Sequence, residues 1–353
     1  MKSVVVDKIA SVAQHNNLSR ELRVAADIPA EEGVLIAVEI LNNKTRYNLL
    51  ELTSGRMAAV KKGDRVVGAL GYRNALFGYS GKLPAAVARD DVLQMLNIGG
   101  VIGACDSVNP EVGDPFNCRV LGAVLSFPYL GERIGVPARI GAQPLDTTAA
   151  LATGGIPVIA LAGTSMDSGK TAAAAAVVSR LRQRGFSVAG GKTTGVSLRR
   201  DVLAMADAGA EPTLLFSDFG VTTTSAENGA ALTRNILNGL ADTGPDVIVI
   251  ELGDGLLGSY GVEAILGDER IRGALGAVVL CANDPVGAWG GATLLRDRFG
   301  IEPAAVTGPA TDNQVGVDIV ERQLGLAGIN ALSHGVALGD HLLNVVGLSG
   351  KRP

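Results

Sequence analysis

The sequence predicts an α/β protein in two parts. A smaller, mostly-β, barrel-like domain spans residues 1–148, and residues 149–353 form a domain with a mostly parallel sheet covered by helices. Three observations predict this. At 353 residues, and roughly 150 residues per domain, the chain has length for two. Hydrophobic residues make up 47% and charged residues 19%, enough for a sizeable core and too little charge for a disordered chain. The third is a change of texture near residue 150, where short apolar runs give way to alternating strand and helix patterns. The 47 Gly and 14 Pro then read as turns and close backbone approaches within folded domains.

The elements follow in order. After an N-terminal stretch without a clear pattern, apolar runs at Val34–Leu41, Tyr47–Leu52, Arg65–Leu70, Val101–Ala104 and Arg119–Phe127 predict strands. Turn signals separate them: Asn42-Asn43, Lys62-Gly63-Asp64, Asn109-Pro110 and Gly113-Asp114-Pro115. Runs of this length at this spacing indicate a barrel or sandwich. One helical interruption is predicted around Pro84–Leu96, and Asn97–Gly103 reads as a tight β-turn. The boundary is placed in Pro144–Gly155, a stretch of small residues.

Beyond it, Pro157–Leu161, Ser187–Ala189, Asp246–Glu251, Ala277–Cys281 and Ala304–Thr307 are uninterrupted apolar runs. Helices are predicted at Gly169–Arg184, Asp201–Asp207 and Leu294–Phe299. Continuous apolar strands between helices indicate a parallel sheet covered on both faces.

The sharpest motif is Gly163-Thr164-Ser165-Met166-Asp167-Ser168-Gly169-Lys170-Thr171, which follows an apolar strand and opens a helix. That is the context of a phosphate-binding loop. Glycine lets backbone N–H groups crowd around phosphate oxygens, and the helix N-terminus adds partial positive charge. Lys170 is placed to reach β- and γ-phosphates, and the Thr171 hydroxyl to sit on Mg2+. Asp246–Glu251 is a Walker B-like strand whose four consecutive β-branched residues, Val247–Ile250, are followed by Glu251. Ligands of open α/β sheets bind at that edge, so Glu251 and Asp254 are both candidates for the metal. Glu251 resembles the glutamate of the Glu-Gly-x-Gly-Gly segment of the dethiobiotin synthetase-like proteins, which implies Glu251 as the first choice and Asp254 as the alternative. Gly163, Gly169, Gly190, Gly191, Gly195, Gly253 and Gly255 are expected to gather around the phosphate site.

Five residues separate Gly163 from Gly169, one more than in the common loop. With its Gly-Thr opening and Gly-Lys-Thr close, the loop resembles that of dethiobiotin synthetase and the related cobyrinic-acid amidating synthetases. Ser165 stands where the synthetase usually has Asp, and where the partition ATPases carry a signature lysine. The resemblance covers roughly residues 156–315. It implies that Lys192, just past the second strand, sits near the phosphates, with a solvated loop lysine as the alternative. It implies an Mg2+ ligand at a helix start, for which Asp201 is the choice and Asp207 the weaker candidate. A helix N-cap explains Asp201 equally well. The resemblance also implies an asparagine that reads an adenine edge; Asn283 in Cys281-Ala282-Asn283-Asp284-Pro285 fits, and so does an ordinary Asn-Asp-Pro turn. Thr307–Asn313 carries the same two readings.

ATP or GTP with Mg2+ is therefore expected. The resemblance implies an ATP-dependent synthetase or kinase acting on a small carboxylated metabolite. The alternative is an NTPase switch or assembly factor that docks a protein partner through its β domain. Net charge is −4 and only 4% of residues are aromatic, which argues against nucleic acid. Cys105, Cys118 and Cys281 lie far apart and read as buried thiols of a cytoplasmic protein. His15, His334 and His341 show no metal spacing. No signal peptide and no membrane span is expected. A two-fold homo-oligomer is expected on general grounds.

Overall fold

Apolar residues between Val4 and Ile140 gather into one buried cluster, and those between Ile159 and Leu343 into another. The computed structural model describes residues 1–129, 131 and 133–348. It divides into two compact units. The first is Met1–Pro144 with two later segments, Val196–Arg199 and Phe216–Thr223; the second is the rest of the chain from Leu145.

The first unit contains strands β1 (Lys2–Val5), β2 (Lys8–Ile9), β3 (Glu21–Ala25), β4 (Leu35–Ile40), β5 (Leu49–Glu51), β6 (Met57–Ala59), β7 (Arg65–Leu70), β8 (Arg73–Asn74), β9 (Tyr79–Lys82), β10 (Val92–Met95), β11 (Val101–Val108), β12 (Phe116–Ser126) and β13 (Val136–Pro137). Five of them close a ring. β4 pairs with β12 and β7, β7 runs parallel to β11, and β10 bridges β11 and β12. Closure removes the unpaired edges of these strands, and β4 is buried at every position but Glu39. β1 and β3 extend the sheet from β12, and β8 and β9 extend it from β11.

The helix expected at Pro84–Leu96 is not formed. Asp90 adopts a left-handed φ of 71°, and the Asp91 carboxylate accepts the Ala88 N–H at 2.7 Å. The last part becomes β10, whose residues alternate exposed, buried, half-buried, buried. Leu93 and Met95 look helical by composition, but their spacing of two is that of a strand whose partners lie elsewhere in the chain. Of the expected turn Asn97–Gly103, residues 97–100 form it and join β10 to β11, while Val101–Gly103 already belong to β11.

The two later segments are held by polar side chains of this unit, of which Asn97 and Glu51 are buried. Asn97 donates to Ser197 O at 2.7 Å, and Glu51 Oε2 accepts the Arg199 N–H at 2.8 Å. Glu32 Oε1 accepts from Thr222 N at 2.8 Å and Thr222 Oγ1 at 2.7 Å. Asp218 lies 2.7 Å from His15 Nε2 and accepts from Gln14 at 2.9 Å.

The second unit is built on six parallel strands: β14 (Val158–Gly163), β15 (Val188–Lys192), β16 (Thr213–Leu215), β17 (Val247–Glu251), β18 (Leu275–Cys281) and β19 (Ala305–Thr307). Their order is β16-β15-β17-β14-β18-β19. The helices are α1 (Lys170–Gln183), α2 (Arg200–Asp207), α3 (Gly229–Ala241), α4 (Val262–Gly267), α5 (Glu269–Ala274), α6 (Pro285–Phe299), α7 (Gln314–Ile319) and α8 (Gly335–Val345). α1 buries Ala173, Ala174, Val177, Val178 and Leu181, the three-and-four spacing of an amphipathic helix. Gly190 and Gly191 are corrected from phosphate-site residues to packing residues. A Cβ on Gly190 would meet Met205 of α2 at 3.1 Å, and one on Gly191 would meet Ile236 of α3 at 3.0 Å.

α8, which no pattern in the sequence singled out, packs on α1. Arg180 donates to both Asp340 oxygens, at 2.9 and 2.6 Å, and this hydrogen-bonded pairing holds the Asp340 carboxyl below its usual range. The pair is partly exposed, so Asp340→Ala is expected to lower unfolding stability by only about 1 kcal/mol, read by denaturant titration.

The cysteines are free, with Cys118 and Cys281 buried and Cys105 half-buried rather than buried as expected. Burial pushes the Cys118 and Cys281 thiols up to about 12. A thiol reagent at pH 8 should therefore modify at most Cys105 in the native protein and all three after unfolding. Mass spectrometry of the native adduct checks this; rapid modification of Cys281 would contradict the burial.

Candidate functional site

Every strand of the second unit runs the same way, so the loops at the strands' carboxyl ends lie on one edge of the sheet. β14 lies inside the sheet between β17 and β18, and it delivers the loop 163–169. Asp167 and Gly169 turn the chain with left-handed φ values of 56° and 90°, and Gly169 is the residue from which α1 starts. Lys170 folds back into the loop, donating to Ser165 O at 2.7 Å and Ser168 Oγ at 3.2 Å. Gly163 leaves space for it, since a Cβ there would lie 2.6 Å from Lys170 Nζ.

Neighbouring strand ends support the loop. Leu256, beyond β17, donates its N–H to Gly163 O at 2.8 Å. A Cβ on Gly255 would sit 2.7 Å from Thr164 O, and one on Gly308 only 2.3 Å from Ser168 O. Gly255, expected to approach a phosphate, thus approaches the loop itself. Gly308 contributes a support that sequence reasoning missed; a Gly-Pro step just past a strand was its only signal.

Acidic and basic side chains meet on one side of the loop. Lys192, the last residue of β15, forms an ion pair with Asp201, and both side chains are nearly inaccessible. Thr171 Oγ1 lies 3.1 Å from Asp201 Oδ1 and 3.4 Å from Glu251 Oε1. Lys192 is buried rather than solvated. α2 begins at Arg200, so Asp201 stands inside its first turn and its carboxylate faces Lys192 and Thr171 instead of serving as the N-cap.

The electrostatics follow from burial and charge. Burial pushes the Asp201 carboxyl up, but the adjacent Lys192 ammonium outweighs it and holds the group below the usual carboxylate range. For Lys192, burial works against the charged form, yet Asp201 and Glu251 keep the ammonium above its ordinary value. Glu251 rises to about 7, first through burial and then through the negative charge of Asp201.

These residues fit a hard divalent cation. Glu251 Oε2 is buried with no hydrogen-bond partner among the described residues, and Thr171 and Asp201 present further oxygens beside it. Among the described residues no three or more His, Cys, Asp and Glu side chains form a metal-holding group on their own. Mg2+ keeps most of its positions for water and phosphate oxygens, so two acids and a hydroxyl suffice.

The remaining candidates separate. Asp207 is exposed at the last position of α2, away from this cluster. Asp254 is buried with a left-handed φ of 69°, and its carboxylate turns toward Gly258. Asn283 is exposed at the end of β18, and its amide donates to Ser165 Oγ at 2.6 Å. Its neighbour Asp284 caps α6 by accepting the Gly287 N–H. Asn313 likewise caps α7. No helix among the described residues is long and apolar enough to cross a membrane.

No protein-family model matches the chain, and no curated protein matches it in sequence. Among solved structures, it is similar to the signal recognition particle receptor FtsY from Elizabethkingia anophelis at 15% identity and a TM-score of 0.39, covering 53% of this chain and 65% of that one. A DUF1611 family protein from Anabaena variabilis is similar at 15% identity and a TM-score of 0.41, covering 60% and 64%. The signal recognition particle 54 kDa protein from Aeropyrum pernix K1 is similar at 19% identity and a TM-score of 0.32, covering 56% and 41%. The chain thus spans under two thirds of the length of each.

The loop's close contacts generate a paired prediction. Gly255→Ala should destabilise the protein by roughly 1–3 kcal/mol, because backbone has to move. Gly273→Ala, in α5 with nothing within 4 Å of its Cβ, should be neutral or stabilise by about 0.5–1 kcal/mol. Thermal or denaturant melts of the two variants read the contrast.

Proposed function

We propose that the chain binds ATP or GTP with Mg2+ at the loop 163–171 and uses it to activate a small carboxylated metabolite, by phosphoryl transfer or acyl-phosphate formation. The observation that carries this reading is the gathering of Thr171, Asp201, Lys192 and Glu251 beside Lys170, with Thr171 Oγ1 at 3.1 Å and 3.4 Å from the two acids. The backbone amides of the loop and the start of α1 suit phosphate oxygens. Lys170 exchanges its Ser165 and Ser168 contacts for the β- and γ-oxygens. Lys192 is placed to share its ammonium between Asp201 and the transferred group. Mg2+ supplies neutralisation of phosphate charge, held through Thr171, Asp201 and Glu251. Resemblance of the Gly-Thr opening and Gly-Lys-Thr close to the dethiobiotin synthetases supports a synthetase or kinase.

A nucleotide switch that docks a protein partner through the first unit is the second reading. It is favoured by one observation: the segments that follow β15 and β16 belong to the β-rich unit. Incubation with ATP and candidate carboxylates separates the two readings, since a product of altered mass belongs only to the first.

Lys170→Ala removes a charged donor worth about 1.5–3 kcal/mol, so affinity for fluorescent ATP and GTP analogues should fall roughly tenfold to hundredfold. Unchanged affinity would overturn the loop assignment. Glu251→Gln should weaken nucleotide binding in the presence of Mg2+ and leave metal-free binding within about twofold. Identical Mg2+ titrations for variant and parent would remove Glu251 from the metal site.

A further inference from the structure

The turn Cys281-Ala282-Asn283-Asp284-Pro285 is accounted for by its last two residues. Asp284 caps α6, accepting the Gly287 N–H at 2.8 Å, and Pro285 starts the helix. The Asn283 side chain serves neither task. It is exposed, where water offers an amide ready partners, yet Nδ2 donates to Ser165 Oγ at 2.6 Å, 118 positions away in the chain. Ser165 Oγ in turn donates to Met166 O at 2.9 Å. With its proton committed there, the hydroxyl oxygen is left as an acceptor, so the NH2 end of Asn283 faces it. The two bonds form one chain from the end of β18 into the loop 163–169, each polarising the other.

That chain enters the loop at the peptide that holds Lys170. Ser165 O accepts Lys170 Nζ at 2.7 Å and Ser168 Oγ at 2.9 Å. Two residues on, Asp167 has a left-handed φ of 56°, which a residue other than glycine keeps where its surroundings hold it. Lys170 has to leave Ser165 O to reach phosphate oxygens, and its departure removes a contact that fixes this peptide. The bonds to the end of β18 are independent of Lys170: Thr164 N to Cys281 O at 2.9 Å, and Asn283 to Ser165. They start from a firm base, since Asn283 lies between a buried strand end and a capped helix. We infer that Asn283 is a positioning residue for the phosphate loop, acting through the Ser165 hydroxyl to hold peptide 165–166 while Lys170 moves to the phosphates. Such a role rests on the Mg2+-nucleotide reading of the loop, and it is indifferent to the base.

The test compares the full-length parent with Asn283→Ala, Ser165→Ala and the double variant, each with a melt and a circular dichroism spectrum. With Mg2+ present, affinities are measured for fluorescent ATP and GTP analogues directly and for inorganic tripolyphosphate by competition. Amide hydrogen exchange at residues 164–168 is measured without ligand. Each single variant should bind all three probes roughly threefold to tenfold more weakly, at an unchanged melting temperature. The double variant should bind no more weakly than the single ones, and exchange at 164–168 should be faster in all three. A loss confined to one analogue, with parent-like tripolyphosphate affinity, makes Asn283 a base contact and overturns the positioning role. So do losses that add in the double variant, exchange equal to the parent, or faster exchange throughout the second unit with a lowered melting temperature. A parent that binds none of the three probes overturns the nucleotide reading, and the role in phosphate binding with it. The ligand-free exchange then shows by itself whether Asn283 holds the loop.

Discussion

The second unit depends on one buried ion pair. Lys192 and Asp201 belong to different elements, the end of β15 and the first turn of α2, and both are almost wholly removed from water. Separating them would leave a charge buried without its partner, at a cost of about 3–5 kcal/mol. The pair therefore constrains both elements. It also sets the charge of the surroundings: Asp201, kept ionised by Lys192, helps lift Glu251 to about 7. Thr171, on α1, stands within reach of both acids. Three elements are thus drawn together around one electrostatic arrangement.

Small residues make that arrangement reachable. Gly190 and Gly191 let α2 and α3 close on opposite faces of β15, which brings Asp201 to the strand that carries Lys192. Gly255 and Gly308 let the ends of β17 and β19 approach the loop's own backbone. Of the glycines expected around the phosphate site, Gly190, Gly191 and Gly255 serve close packing against their neighbours, while Gly163 and Gly169 shape the loop itself.

Legibility varied with the range of the interaction. The loop 163–171, its strand and its helix were readable because their pattern is contiguous: apolar strand, glycine, lysine, hydroxyl, amphipathic helix. The ends of β15 and β17 were readable for the same reason, so Lys192 and Glu251 could be named as candidates. Asp201 was undecided between cap and ligand, because both roles place an aspartate at a helix start. The cap is set aside by the start of α2 at Arg200, with the Asp201 carboxylate turned to Lys192 and Thr171. Pro84–Leu96 was misread because a barrel-closing strand is fixed by partners on either side of it, and its own apolar content is compatible with a helix. α8 was overlooked although its apolar residues are strong, since its partner on α1 lies 160 positions away.

The sequence by itself determined the class of each half, five of the six parallel strands and the strand–loop–helix context of residues 163–171, because these follow from local periodicity and backbone freedom. Tertiary structure decided which charges meet. It paired Lys192 with Asp201, left one buried Glu251 oxygen without a partner among the described residues and sent Asp207 to the surface. It also enclosed 196–199 in the β-rich unit beside Glu51 and Asn97. The physical reason is that desolvation and Coulomb energy depend on distances between residues far apart in the chain, and no local pattern carries those distances.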